Sequence, residues 1–346
     1  MNHSNRPIVY WLLLGCLLIF IMVAIGGMTR LTHSGLSMVE WTLFGNSPPS
    51  TEVAWQEMFD KYKQYPEYQL VNFNFGLEEF KRIFWWEYIH RMFGRMIGLV
   101  FIIPFIWFWL KGKLINDLKP KLIFLLVLGG FQGLLGWYMV KSGLIKDPDV
   151  SHYRLAMHLT TAFLTFAYTF WLALGLIYPK PEVRHKGMKG VFGLLLAVLL
   201  IQIVWGAYVA GLNAGKIYNT WPLMGGEIMP ESVLSMKPWI TNWIENLAGV
   251  QFFHRYVAYL VVAIVVYAFV VSRKMSLGKS QQKGLQFLLV AVLFQFFLGV
   301  FTLLYAVPVS LGLLHQLGAF VLLGATIFCL HRFSKTTADY AQTLSS

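Results

Sequence analysis

Residues 189–211 read KGVFGLLLAVLLIQIVWGAYVAG, a run whose only charged side chain is the lysine at its first position. About 20 apolar residues at helical rise cross the hydrocarbon core of a bilayer, so this run predicts a transmembrane helix. Similar runs occupy residues 8–29, 84–110, 121–140, 153–178, 247–271, 285–305 and 308–331. They are too long and too continuously apolar for the strands of a membrane barrel. The sequence therefore predicts an all-α integral membrane protein with eight transmembrane helices.

The composition excludes an ordinary soluble protein. Of the 346 residues, 57% are hydrophobic and 13% are charged, and the mean hydropathy is +0.59. These values leave too few polar side chains for a solvated surface. The two cysteines, Cys16 and Cys329, lie within apolar runs, so we expect neither a disulfide framework nor a thiolate metal site.

The net charge of +12 is a signal of membrane topology. Eight spans put both termini on one side, and that side, with its three loops, holds 15 Lys and Arg residues. Only three acidic residues accompany them: Asp117, Glu182 and Asp339. By the positive-inside rule this side is cytoplasmic, and the charge does not indicate a nucleic-acid partner. We expect a multi-pass protein of the bacterial cytoplasmic membrane, with a processed organellar protein as the alternative.

The longer loops lie on the opposite, outer side. In the first, residues 29–84, Trp55, Met58, Phe59 and Tyr62 fall at i, i+3, i+4 and i+7, which predicts an amphipathic helix on the membrane surface or capping the bundle. The second outer loop covers residues 212–246. Because loops carry function more often than the elements they join, we expect the active face to be the outer one.

The two halves of the chain resemble each other. Two pairs of residues recur at fixed offsets of 180 and 163 positions: Gly26 and Gly35 as Gly206 and Gly215, and Gln132 and Gly136 as Gln295 and Gly299. Two four-helix units in the same orientation follow, as in a parallel membrane repeat. We predict tandem four-helix bundles, residues 1–180 and 181–346, related by a pseudo-twofold axis along the membrane normal.

Each even-numbered predicted helix carries one histidine near its outer start: His90, His158, His254 and His315. A single intramembrane histidine also fits a packing role, hydrogen-bonded to a neighbouring helix. Four at matched depth favour ligation, and imidazole in an apolar bundle fits a haem iron held between two helices. We predict two bis-histidine haem sites toward the outer face, one in each half.

A small residue follows each of these histidines by one helical turn: Gly94, Ala162, Ala258 and Ala319. Residues at i and i+4 share a face, so these positions leave room for a porphyrin ring lying along the helix. Small residues also serve ordinary helix packing, which is the competing explanation.

The halves differ at one chemically informative position. Glu87 stands three residues before His90, and the equivalent residue before His254 is Gln251. A carboxylate in an apolar site can act as a base or stabilise a developing cation, although a glutamate near a helix start is also favoured by the helix dipole. The N-terminal half is therefore the better candidate for chemistry, and the C-terminal half for a resident cofactor.

Four arginines lie beside the histidines: Arg91, Arg95, Arg154 and Arg255. Arginine pairs well with carboxylates such as haem propionates. Extension of the side chain toward lipid headgroups is an equal alternative for each of them.

Several stretches together resemble the heme A synthases of mitochondria and many Gram-negative bacteria, and the resemblance covers all eight spans. They are GGMTRLT at 26–32, SGLSMVEW at 34–41, EYIHRMFGR at 87–95, FQGLLGWYMV at 131–140 and YRLAMH at 153–158. Some relatives carry a cysteine pair in the first outer loop, which this chain lacks. A thiol-based reduction step therefore does not carry over.

The resemblance implies oxidation of the C8 methyl group of haem O to a formyl group, by two hydroxylations and a dehydration, which gives haem A for cytochrome oxidase. It also implies that His254 and His315 hold a haem b cofactor, that His90 and His158 bind the substrate haem, and that Glu87 acts in catalysis. Because two histidines leave the iron no open site for dioxygen, we favour electron removal from the substrate and capture of a carbocation-like methylene by water.

Two other functions fit part of the pattern. A di-haem cytochrome that takes electrons from quinol would explain the histidines but not the difference between Glu87 and Gln251. A haem transporter would need a polar path across the bilayer. The enzyme that makes haem O, a protohaem farnesyltransferase, is the expected neighbour because the substrate is insoluble, with cytochrome oxidase assembly downstream, membrane lipid around the protein and a homo-oligomer as one option.

Overall fold

The computed structural model describes residues 5–39, 45, 47–143, 150–179, 185 and 187–334. Ten α-helices are present in this part of the chain, joined by loops that include short 3₁₀ turns. They are α1 (Arg6–Leu31), α2 (Glu52–Tyr62), α3 (Pro66–Leu70), α4 (Leu77–Leu110), α5 (Leu118–Gly143), α6 (His152–Ile177), α7 (Met188–Gly211), α8 (Leu247–Ser272), α9 (Lys279–Leu304) and α10 (Val309–Ser334).

Eight of these helices, all but α2 and α3, are long and apolar enough to cross a membrane. This confirms the predicted all-α integral membrane protein and its eight spans. The predicted bounds differ most in α4, which begins at Leu77 instead of residue 84. His90 therefore lies more than three turns into its helix, deeper along α4 than the predicted one to two turns.

The extra turns of α4 are stabilised by α2, which is the predicted amphipathic helix. Trp55, Phe59 and Tyr62 of α2 are buried against Phe80 and Phe84 of α4. The Trp55 and Phe84 rings meet edge to face, with their centroids 4.9 Å apart. This geometry is favourable beyond the burial of area alone. The apolar face of α2 thus packs on the protein, which agrees with the capping alternative.

The chain divides into two compact units. One comprises Leu17–Thr165, and the other combines Met1–Cys16 with Phe166–Ser346. In the first unit α4 packs on α5 and α2; in the second α7 packs on α8 and α10, and α9 packs on α10. The predicted domains, 1–180 and 181–346, and their pseudo-twofold axis stay predictions.

The second outer loop is held on α8 by buried asparagines. The Asn246 side chain caps α8 by accepting from the amides of Ala248 and Gly249, and Asn242 donates to the Met236 carbonyl. A Cβ on Gly249 would overlap the Asn242 carbonyl oxygen, so only glycine allows this close approach.

His152, expected in an outer loop, is instead the first residue of α6, which begins one residue before the predicted apolar run, and it is buried. Some residues used for the topology and the family resemblance lie outside the described part: Glu40, Trp41, Lys180, Glu182, Arg184, Lys186, Lys335 and Asp339. The orientation of the protein in the membrane stays a prediction.

Candidate functional site

His254 on α8 and His315 on α10 face each other within the second unit. Their ring centroids are 6.4 Å apart and the ring planes are inclined by 84°. A metal–imidazole bond is about 2 Å long and each ring adds roughly 1 Å to its centroid, so two axial ligands of one iron are separated by about 6 Å. The predicted pair therefore has the spacing of a bis-imidazole site.

A glycine on a neighbouring helix lies against the Cε1 edge of each of the four histidine rings. A Cβ on Gly206 would approach His254 Cε1 to 3.0 Å, and one on Gly299 would approach His315 Cε1 to 2.7 Å. In the first unit the corresponding contacts are Gly26 with His90 at 3.1 Å and Gly136 with His158 at 3.2 Å. These are the glycines of the sequence repeat, so the repeat places the rings.

Glutamines fasten three of the histidines through their backbone carbonyls. The side-chain amides of Gln132, Gln202 and Gln295 donate to the carbonyl oxygens of His158, His254 and His315 at 2.8, 3.0 and 2.8 Å. Each glutamine precedes the contacting glycine by four residues. Gln202 was not singled out from the sequence, although the Gln-x₃-Gly spacing that it shares with the other two could have identified it.

The histidine rings leave nitrogen atoms for a ligand. Nδ1 of His90, His158 and His254 is buried without a hydrogen-bond partner in the described part of the chain. Among those residues, no three His, Cys, Asp or Glu side chains converge to hold a metal by themselves. Buried, incompletely bonded imidazoles in pairs fit an iron whose porphyrin supplies the remaining nitrogens.

The small residues one turn after the histidines are half-buried in each unit: Gly94, Ala162, Ala258 and Ala319. They are therefore not sealed within a packed core. Gly94 lies against Met22 of α1, whose Cε would be 3.3 Å from a Cβ at position 94. Their role beside a porphyrin stays a prediction.

Glu87 is fully enclosed and holds three donors. The residue is 2% exposed. Ser37 Oγ and the Met38 amide donate to Oε2 at 2.6 and 2.8 Å, and the Arg91 guanidinium pairs with Oε1. Arg91 also donates to the Met38 carbonyl at 2.9 Å. Such bonds stabilise the ionised carboxylate, which would otherwise be costly in this environment.

The second unit repeats this scaffold without the charge. Arg255 donates to the Tyr218 carbonyl, as Arg91 does to that of Met38, and Tyr218 and Met38 are 180 positions apart. The Gln251 amide donates to the Ala214 carbonyl at 2.8 Å, and its oxygen accepts from Arg255 at 3.1 Å. The difference between Glu87 and Gln251 is therefore a difference in charge within a conserved contact pattern.

The other arginines are also directed at protein groups. Arg95 donates to the Arg91 carbonyl at 3.0 Å. Arg154 donates to the Tyr138 carbonyl at 2.9 Å, and its guanidinium carbon lies 3.8 Å from that ring centroid. Arg255 has one buried donor, Nε, without a partner among the described residues. Contact with propionates stays a prediction for all four.

A second buried carboxyl group, not found from the sequence, lies in the α2–α3 segment. Tyr62 donates to Glu67 Oε2 at 3.1 Å and accepts from Asn72 at 2.9 Å. Burial, and secondarily the charge of Glu87, raise the pKa of Glu67 to about 8. Glu67 is therefore largely protonated at neutral pH, while the carboxylate of Glu87 is the one that the structure pairs with an arginine.

Known proteins match nearly the whole chain. Residues 9–327 match the family described as cytochrome oxidase assembly protein. A heme A synthase of Flavobacterium johnsoniae is 52% identical over 341 residues, 97% of this chain and 100% of that protein. Those of Flavobacterium psychrophilum and Parvibaculum lavamentivorans are 51% and 45% identical over 337 and 335 residues, 96% of this chain in both cases and 99% and 96% of those proteins. These matches confirm the resemblance, and the chain belongs to the heme A synthase family of cytochrome oxidase assembly proteins.

Proposed function

We propose that this protein oxidises the C8 methyl group of haem O to a formyl group and so makes haem A. The observation that carries the proposal is the pair of histidine sites built from the same contacts, of which only one holds a buried carboxylate, Glu87. The high identity to heme A synthases over nearly the full chain supports the same activity.

We assign the resident haem b to His254 and His315. Their spacing fits two ligands of one iron, and Ala258 and Ala319 leave room one turn further along each helix. Arg255, with its remaining donor Nε, is the candidate for a propionate contact. A haem in this place supplies one-electron redox chemistry. Gln251 beside this pair is uncharged, which fits a site whose haem carries electrons and is not itself oxidised at its side groups.

We assign the substrate, haem O, to His90 and His158. Gly94 and Ala162 flank this pair as the alanines flank the other. Arg91, Arg95 and Arg154 remain the candidate contacts for substrate propionates. For Arg91 that contact would compete with its bond to Glu87, so we give it the electrostatic role and assign propionates first to the other two.

Conversion of the methyl group to the formyl group consumes one water and releases four protons, two of them from that water, and four electrons, which an external oxidant must accept. Removal of two electrons and one proton from the methyl group, followed by addition of water and loss of a second proton, gives the hydroxymethyl group. A repetition gives the geminal diol, and loss of water gives the aldehyde. Each oxidation develops positive charge on the carbon that is oxidised, a methylene in the first round and a hydroxyl-bearing carbon in the second, and a fixed negative group stabilises this charge.

Glu87 is organised to be that negative group. A carboxylate accepts about four hydrogen bonds. Ser37, Met38 and Arg91 fill three places, which fixes the direction of the remaining acceptor site. Because a hydroxyl, a main-chain amide and a guanidinium are all directed at its oxygens, we assign Glu87 electrostatic stabilisation of the methylene and orientation of the incoming water.

We further propose the tandem arrangement that the repeat predicts, with bundles 1–180 and 181–346 about a pseudo-twofold axis along the membrane normal. The matching contacts within each unit support it. The positive-inside rule places both termini in the cytoplasm and the haem sites toward the outer face of a bacterial cytoplasmic membrane. The partners follow from the chemistry: haem O synthase as supplier, cytochrome oxidase assembly as consumer, surrounding lipid, and a homo-oligomer as one option.

Identification of the bound pigments tests the proposal. The protein is expressed in cells that make haem O but lack their own heme A synthase, and the haems of the purified protein are identified by mass. We expect haem B together with haem A or its hydroxylated precursor. Haem B alone, in the presence of available haem O, would instead support the di-haem cytochrome, which the similarity of the two histidine pairs otherwise allows.

A further inference from the structure

The glycines that contact the four histidine rings share a Gln-x₃-Gly pattern with one exception. Glutamine stands four residues before the ring-contacting glycine at Gln132, Gln202 and Gln295, but the residue four before Gly26 is Met22. Met22 is 180 positions before Gln202, the same offset that relates Gly26 to Gly206. A thioether has no hydrogen-bond donor, so Met22 cannot make the bond that Gln202 makes to a histidine carbonyl.

Met22 of α1 and Gly94 of α4, which lie against each other, both differ from their counterparts in the second unit. The methyl group of Met22 lies over Gly94, and a Cβ at that position would be 3.3 Å from it. In the second unit the corresponding positions are Gln202 and Ala258. The first unit therefore combines a longer apolar side chain with a smaller neighbour. Methionine at position 22 thus fits its surroundings, because Gly94 leaves space for its side chain on α4, the helix that carries His90.

Each glutamine hydrogen-bonds to the backbone of the neighbouring helix at the histidine that this helix carries, and so links the two helices there. Within the substrate pair, His158 has this tie through Gln132 at 2.8 Å. Among the described residues, no side chain donates to the His90 carbonyl, and its ring rests on Gly26. Interhelical hydrogen bonds in membranes are weak but measurable, equivalent to about three- to fifteenfold in an equilibrium constant.

Turnover demands different behaviour from the two sites. A resident haem stays bound through many cycles, whereas substrate must enter its site and product must leave. An iron with two equally tethered histidines would release its haem slowly. One tethered ligand and one untethered ligand keep the haem oriented while allowing one iron–nitrogen bond to open first.

We propose that His90 is the exchangeable ligand of the substrate pair. Met22 is the positioning residue that keeps it exchangeable, because it makes no hydrogen bond to the His90 carbonyl. This inference rests on the proposed function, since it assumes that His90 and His158 bind haem O.

The test uses the protein purified after loading in the host with haem B and with haem O, which is counted together with any oxidised product formed from it. The variants are Met22→Gln, Met22→Leu and Gln202→Met. Two properties are measured: carbon monoxide binding to the reduced protein, which requires an open iron position, and transfer of each haem to apomyoglobin, with the two haems distinguished by mass. Carbon monoxide binds only when an iron–histidine bond opens. A change in helix packing that leaves both of these bonds intact would not alter it.

We expect Met22→Gln to lower the rate of haem O transfer and of carbon monoxide binding about three- to fifteenfold, with haem B transfer unchanged. Met22→Leu, which has no donor either, should behave as the original protein. Gln202→Met should accelerate haem B transfer by a similar factor.

Unchanged carbon monoxide binding and haem O transfer in Met22→Gln, at full haem content, would overturn the proposal while leaving the proposed function intact. If this variant does not fold, Gln202→Met decides, and unchanged haem B transfer would then count against the tethering role of these glutamines. A protein that binds no haem would refute both the inference and the proposed function.

Discussion

Replacement of Glu87 by glutamine separates the charge of this side chain from its shape. The second unit shows how a glutamine sits in this place, because the oxygen of Gln251 accepts from Arg255 at 3.1 Å. In Glu87→Gln we expect the same bond to Arg91. The amide nitrogen then faces Ser37, whose hydroxyl can rotate to accept, and the Met38 amide, which cannot.

The structural cost of this change is therefore one buried amide left without an acceptor, about 1–3 kcal/mol. It is smaller than the cost of stranding a buried charge, about 3–5 kcal/mol, because Arg91 keeps its bond to the Met38 carbonyl. The catalytic cost is larger. Removing one preorganised group that stabilises transition-state charge typically raises the barrier by about 3–4 kcal/mol, which corresponds to about 10²–10³ in rate.

The assay measures haem A formed per bound haem B in membranes that supply haem O. We expect Glu87→Gln to retain both haems and to form haem A about 10²–10³ times more slowly. Glu78→Gln is the matched control, because Glu78 lies on the same helix with 73% of its side chain exposed, and it should be fully active. Normal haem A formation in Glu87→Gln would refute the electrostatic role, and loss of haem O binding would instead assign Glu87 to substrate binding.

Three further changes follow from the geometry. Gly206→Ala places a Cβ about 3.0 Å from His254 Cε1 and should lower the haem B content several-fold by optical titration, whereas Gly193→Ala, which meets no described atom within 4 Å, should not. Burial holds the pKa of Glu67 at about 8, above its unfolded value, so the stability of the folded protein should fall as pH rises from about 5 to about 8. Glu67→Gln should remove this part of the pH dependence of the unfolding temperature. The same pH dependence in the variant as in the original protein would contradict the prediction. Gly249→Ala overlaps a loop carbonyl and should lower the unfolding temperature, whereas the control Gly193→Ala, whose Cβ meets no described atom within 4 Å, should not.

Hydropathy was sufficient to predict the spans because each must satisfy its backbone within lipid. It failed at the start of α4, where residues 77–83 include Glu78, Glu79 and Lys81 and look like a loop. Those turns are helical because their apolar side packs on α2, a tertiary contact between segments far apart in sequence. Hydropathy measured along one window contains no information about such a partner.

The candidate site was predictable where it repeats. The four histidines and the contrast between Glu87 and Gln251 emerge from comparing the chain with itself. Ser37 lies within a family motif but has no counterpart in the repeat that marks it, and its bond to Glu87 joins residues 50 positions apart. The main-chain donor of Met38 leaves no trace in the sequence, since every residue except proline has an amide. Only the folded loop aims it at the carboxylate.

The two units use a common scaffold and differ at two places that act in the same direction. Glu87 in place of Gln251 adds a fixed charge beside His90, and Met22 in place of Gln202 removes a tether from that histidine. A site that oxidises its haem and releases it needs both properties, whereas a resident electron carrier needs neither. If the assignments were reversed, the charged and untethered site would hold the permanent haem, and the neutral, doubly tethered site would have to stabilise a cation and let its product go.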